Sequence, residues 1–147
     1  MIEASIKLTQ PCGNGRQFVA TSGSCHHFLM DDSSGNTGAK PIELVLIALA
    51  GCTAFDVINI LRKKRQHVTD YEVTVEADQA PNPPQVFTEI RIDHRLTGID
   101  LAPKAVEDAL RLSEEKYCSV GAMLGKTAQI RSTFNIERAP VEEVLQP

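Results

Sequence analysis

Most of the signatures that assign a function outright are missing from these 147 residues. There is no GxGxxG or GxxxxGKS/T run, so no glycine-rich cradle for a phosphate-bearing cofactor is encoded. No CxxC occurs and the four cysteines are irregularly spaced, which leaves structural zinc with little support. Basic residues are outnumbered, 15 Lys and Arg against 19 Asp and Glu, and the net charge of -4 opposes a broad nucleic-acid-binding surface. The opening segment Met1–Gln10 lacks a basic patch followed by an apolar run, so it is not a secretory signal and a cytoplasmic location is expected. In a reducing compartment four cysteines imply no disulfide framework. Small molecules are the expected partners.

What is present is ordinary globular composition, 42% apolar and 23% charged, in a length that predicts one domain over residues 1–147. Ile2, Ala4, Ile6 and Leu8 alternate with polar residues as in a half-buried strand. A turn at Pro11–Gly15, a strand over Gln17–Ser22, a tight turn at Gly23 and Ser24 and a strand over Cys25–Met30 complete an antiparallel meander. Asp31–Lys40 is dense in turn residues and predicts a mobile surface loop. Pro41 then opens a long helix at the position where its missing amide hydrogen costs nothing. Glu43 follows as an N-terminal carboxylate, and Arg62–Arg65 supply cations at the negative end.

Alternation resumes at Tyr71, Val73 and Val75, and again from Val86 to His94, with the proline-rich Ala80–Gln85 between them. Pro103 opens another helix, Ser119 is placed to cap a short helix through Gly125, and Ile130 to Ile136 read as a last strand. The tail from Val141 has no firm pattern. Strands broken by helices without regular alternation predict an α+β fold with antiparallel sheets.

The stretch from Ile42 to Leu61 has membrane-spanning length, yet Glu43, Asp56 and Asn59 lie within it, so a helix enclosed by protein is the better reading. Val45, Leu46, Ile47, Leu49, Phe55, Val57, Ile58 and Ile60 cover nearly every face of it. A helix apolar all round must be enclosed on all sides. A twofold partner burying the same helix meets that need, and a homodimer is expected.

Two cysteines far apart in sequence, Cys52 and Cys118, both sit in segments that read as buried helix or helix start. They are either small core hydrophobes or, if folding joins them, a redox couple. The site before a helix N-terminus favours ionisation of Cys118. Asp56, four residues after Cys52 on the same face, opposes ionisation of Cys52.

Pro41-IELVLIALAG-Cys52 and Lys116-YCS-Val120, together with Ser24–Asp31 and Asp56–Val68, resemble the OsmC/Ohr superfamily, and within it the YhfA-type branch. The resemblance covers nearly the whole chain. It implies an intertwined dimer with sheets wrapped round two central helices, and a thiol-dependent peroxidase that reduces organic hydroperoxides in oxidative-stress defence. Cys52 would be the peroxidatic thiolate and Cys118 the resolving thiol, with an external dithiol as reductant and no cofactor, metal or membrane required. In the peroxidase branches the proline is followed by a glutamate that holds an arginine over the thiolate, whereas Ile42 stands there in this chain. Glu43 falls opposite Cys52 at about 100° per residue and stabilises the helix start instead. Arg16, the only arginine before the helix, is the candidate substrate-positioning residue.

Cys25 and His27 share a strand face, which gives too few ligands for a closed metal site, and Cys12 is an incidental thiol in a turn. A non-catalytic small-molecule-binding or redox-sensing dimer is the alternative function, and a structural protein with cysteines as core filler is a third.

Overall fold

The computed structural model describes residues 1–9 and 16–140, in two compact units, Met1–Val45 and Leu46–Pro147. Cys12 with its turn and the tail from residue 141 lie outside the described residues.

The first unit holds the expected meander, β1 (Ala4–Leu8), β2 (Phe18–Ser22) and β3 (His27–Met30), antiparallel in that order. The β2–β3 turn closes through Cys25 N–H to Ser22 O at 2.9 Å, while Gly23 N–H donates to Glu3 O at 2.8 Å, and an added Cβ there would stand 3.1 Å from that carbonyl. The loop after Met30 is organised round an anchor that composition does not reveal. Asp31 is buried, and its carboxylate accepts from the Asp32 and Thr37 amides and from the Thr37 hydroxyl.

Helix α1 runs over Pro41–Lys63, with proline at its first position as expected. The Lys40 amide donates to the Glu43 carboxylate at 2.9 Å, so Glu43 satisfies a backbone donor that the helix start leaves free. At the other end Gln66 N–H reaches Leu61 O and Arg65 N–H reaches Arg62 O, with Arg65 at φ 57°. That is a Schellman closure with arginine where glycine is usual, and the basic run is therefore a helix terminus.

In the second unit β4 (His67–Gln79) and β5 (Phe87–Ile99) form a long antiparallel hairpin closed by Ala80 N–H to Val86 O at 2.8 Å. Strand β6 (Gln129–Arg138) pairs with β5 in parallel, which corrects the expectation of wholly antiparallel sheets. The reason is the connection: between β5 and β6 the chain crosses over through α2 (Pro103–Leu112), a π-helical turn (Ser113–Tyr117) and α3 (Ser119–Leu124). Such a crossover returns the chain in the same direction.

The core of this unit joins Val57 and Leu61 of α1, Leu96 of β5, Leu101, and Ala105, Val106, Ala109 and Leu110 of α2. The α2 residues are a helical stripe, so α2 is held by one apolar face. Within α1 the buried residues are Leu49, Thr53, Val57 and Leu61, one position every four. They form a single line along the helix. The opposite face stays open in the chain by itself, with Ile47 59% and Phe55 79% exposed.

Candidate active site

The buried line of α1 positions the first functional group. Cys52 precedes Thr53 and is half-buried, and Asp56 comes one turn later on the same side. The second group comes from the crossover. After α2 the helix widens to a π turn, in which Cys118 N–H bonds Ser113 O at 2.8 Å, and Cys118 then leaves helical geometry at ψ 98°. A π turn inserts one residue into the helical phase and re-aims the side chains beyond it, and such turns are frequent at functional sites.

The outcome is that Cys52 Sγ, Cys118 Sγ and an Asp56 carboxylate oxygen lie within 4.8 Å of one another. The pairing of these two sulfurs, separated by the whole β4–β5 hairpin and α2, is the contact that the two helical segments left open. Both thiols are free. Ser113, fully buried, donates its hydroxyl to Asp56 Oδ2 at 3.0 Å and lies 3.3 Å from the buried Thr53 Oγ1. Asp56 is thereby held in place by a buried donor. Sequence reasoning missed Ser113 and Thr53, because a serine and a threonine inside helical runs carry no pattern of their own.

Cys118 itself, rather than Ser119, caps α3. Its sulfur accepts from Gly121 N–H at 3.2 Å, and a Cβ at Gly121 would sit at that same distance from the sulfur. The expectation that this helix start would favour the thiolate does not hold. Cys118 is 5% exposed. Burial first, then its hydrogen bond to Cys52 and the nearby charges, push its pKa up to about 11 against the lowering effect of the Gly121 amide. A six-residue helix offers a weak dipole, and desolvation outweighs it.

A cavity of about 360 Å³ opens beside Cys118, lined by Leu49, Thr53, Ile92, Ser113, Cys118 and Ala122 among others but not by Cys52. It is mostly apolar, with Cys118 among the residues of its wall.

Arg16 belongs to the first unit, where its Nε lies 2.8 Å from Asp32 Oδ2 with the side chain 80% exposed. Asp32 also accepts from Ser34 and Gly35 amides, and the Arg16 guanidinium holds its carboxyl below the usual range. His26 and His27 engage Ser24 and Thr21 hydroxyls at 2.9 and 2.8 Å, the hydrogen-bonded surface role. Cys25 is an exposed free thiol at φ 64°.

An α+β chain that joins two distant thiols beside an apolar cavity has the arrangement of a paired-cysteine protein. The chain belongs to the OsmC-like protein family, whose model matches residues 33–133. It is 42% identical over 138 residues to the protein YhfA of Escherichia coli strain K12, across 94% of this chain and the whole of that protein. A crystal structure of a hypothetical protein from Aquifex aeolicus VF5 superposes with a TM-score of 0.83 at 26% identity, covering 95% of this chain and 98% of that one. The organic hydroperoxide resistance protein OhrB of Bacillus subtilis shares the fold with a TM-score of 0.61 at 13% identity, covering 92% and 98%.

Proposed function

We propose that this chain is a thiol-dependent peroxidase that reduces organic hydroperoxides through Cys52 and Cys118. The observation that carries the reading is the approach of the two sulfurs to within 4.8 Å beside an apolar cavity. Hydroperoxide-resistance proteins of the same fold support the class of substrate.

The two thiols divide the work by environment. Cys52 is half-buried and reachable, so it attacks: its thiolate sulfur bonds the distal peroxide oxygen, the O–O bond breaks, and the alkoxide leaves as an alcohol after taking a proton. Cys118 keeps its proton at neutral pH because burial disfavours its anion. It is suited to wait and then attack the sulfenic sulfur of Cys52, forming the disulfide as the sulfenic oxygen departs as water. An external dithiol restores both thiols by exchange. Closing the pair to the roughly 2 Å of a disulfide requires a small movement of Cys118, which sits where regular helix has already ended.

Arg16, paired with Asp32 at 2.8 Å, is the residue proposed for substrate positioning. A homodimer completes the fold. The open face of α1 carries Ile47, Gly51 and Phe55 at one-turn spacing, and a Cβ at Gly51 would meet nothing within 4 Å. An apolar face with a glycine at its centre suits close approach of a second copy of the helix. The protein is accordingly read as cytoplasmic, with neither nucleic acid nor membrane among its partners.

The experiment is steady-state reduction of cumene hydroperoxide with a dithiol by wild type, Cys52→Ser and Arg16→Ala. Turnover lost with Cys52→Ser and weakened KM with Arg16→Ala are expected. Equal turnover in wild type and Cys52→Ser would refute the reading. An inert wild type with a ligand retained in native mass spectra would favour the small-molecule-binding alternative, for which the apolar cavity is the supporting observation.

A further inference from the structure

The same three atoms that make a redox pair have a second chemistry. Two sulfurs and one carboxylate oxygen lie mutually within 4.8 Å, so that a small contraction would bring all three onto one ion. For zinc the metal–ligand distances are roughly 2.3 Å to sulfur and about 2.0–2.2 Å to oxygen. The donors come from two backbone frames: Cys52 and Asp56 one turn apart on α1, and Cys118 from the segment between the π turn and α3. The carboxylate has its outer partner in place, since Ser113 donates to Asp56 Oδ2 at 3.0 Å from a fully buried position. Such partners fix the orientation of a ligating group and are worth about 10–100-fold in metal affinity. Among the described residues this is the cluster with that donor set, while Cys25, His26 and His27 lie in the first unit, where the two rings turn to Ser24 and Thr21.

We infer that the reduced Cys52–Asp56–Cys118 cluster binds one borderline-soft divalent cation of the zinc class, and that this binding excludes hydroperoxide. Two sulfur donors select zinc or cadmium over magnesium and calcium, whose preferred donors are oxygens. Three protein ligands leave a fourth position facing the cavity that Cys118, Thr53 and Ser113 line, which a solvent molecule fills. Binding forms two metal–sulfur bonds and one metal–oxygen bond and releases the protons of both thiols to solvent. No electrons move. The metal takes the sulfur electron pair that the attack on peroxide needs, and oxidation of the pair to a disulfide removes both sulfur donors. The exclusion of peroxide rests on the peroxidase reading, whereas the binding requires only two reduced thiols.

The test uses the full-length reduced protein with zinc alone, followed by competition with a chromophoric chelator, and repeats it with cadmium to read sulfur-to-metal charge-transfer absorption. One ion per chain is expected, with a cadmium–thiolate band, protection of Cys52 and Cys118 from alkylation, and continued modification of Cys25. Affinity should fall at least 100-fold in Cys52→Ser and in Cys118→Ser, about tenfold in Ser113→Ala, and not at all in Cys25→Ser. Wild type oxidised to the Cys52–Cys118 disulfide should lose the ion and regain it after dithiol treatment, a comparison that needs no variant to fold. Equal stoichiometry in wild type and in Cys52→Ser, or zinc retained with both thiols still alkylated, would overturn the site. Peroxidase failure with zinc bound as described would overturn only the catalytic reading.

Discussion

His94 and Cys118 are both held uncharged by burial in the second unit, yet one is sealed and the other faces a cavity. His94 is fully buried on β5. It pairs its Nδ1 with the Tyr71 hydroxyl at 2.7 Å, stacks on that ring at 6.0 Å, and leaves Nε2 without a partner among the described residues. Burial pulls its pKa down to about 4 and pushes that of Tyr71 up. Cys118 is pushed in its own uncharged direction, up to about 11, but its neighbours are a half-buried thiol and a carboxylate, and the residue lines a cavity. Desolvation alone therefore makes a structural group. Desolvation beside a second thiol and open space fits the resolving role proposed for Cys118.

Each side of that comparison can be broken. The largest effect is expected at the open site: Cys52→Ser should reduce hydroperoxide turnover on the order of a thousandfold, as removal of a nucleophile does. Cys118→Ser should spare the first oxidation and block the second, so that a sulfenic acid accumulates and is trapped by dimedone with mass spectrometric readout. Persistence of disulfide in that variant would assign resolution to another thiol.

On the sealed side the effect is on stability. His94 has a folded pKa near 4 against 6.5 unfolded. Its contribution is thus complete above pH 6.5 and is lost as pH falls toward 4, because only the unfolded chain takes the proton in that window. The loss is on the order of 3 kcal/mol. Denaturant titrations across that range should show it, and His94→Gln should flatten the pH dependence. A matching acid loss in the variant would move the cause elsewhere.

A smaller effect concerns assembly. Phe55→Glu, on the open face of α1, should shift sedimentation from dimer to monomer while monomer circular dichroism is retained. The smallest is Ser113→Ala, which removes the donor to Asp56 and should cost about 1–3 kcal/mol in unfolding free energy for a carboxylate left short of a partner.

The sequence carried the elements better than their meeting points. Pro41, Glu43 and the basic run located α1 to within two residues, because caps act within one turn and leave local marks. Alternation marked β1, β4 and β5, and turn-bounded or apolar runs marked β2, β3 and β6, but none of this could show that β6 runs parallel to β5, a fact decided by the length of the crossover. Both cysteines were legible as a pair through family resemblance. Their electrostatics were not: the start of α3 was visible, though Ser119 was read as its cap, and the burial of Cys118 that outweighs the helix start leaves no local mark in the sequence. Arg16 stood out as the lone arginine before α1, and its ion-pair partner Asp32 was hidden in a turn-rich run whose aspartates look alike.

The most direct measurement is peptide mapping under non-reducing conditions after one equivalent of cumene hydroperoxide is added to the fully reduced protein. The account predicts a single cross-linked peptide pair joining Cys52 to Cys118 and lighter by two hydrogens, with Cys25 still alkylated. Recovery of both as free thiols, or a bond from Cys52 to any other cysteine, would contradict it.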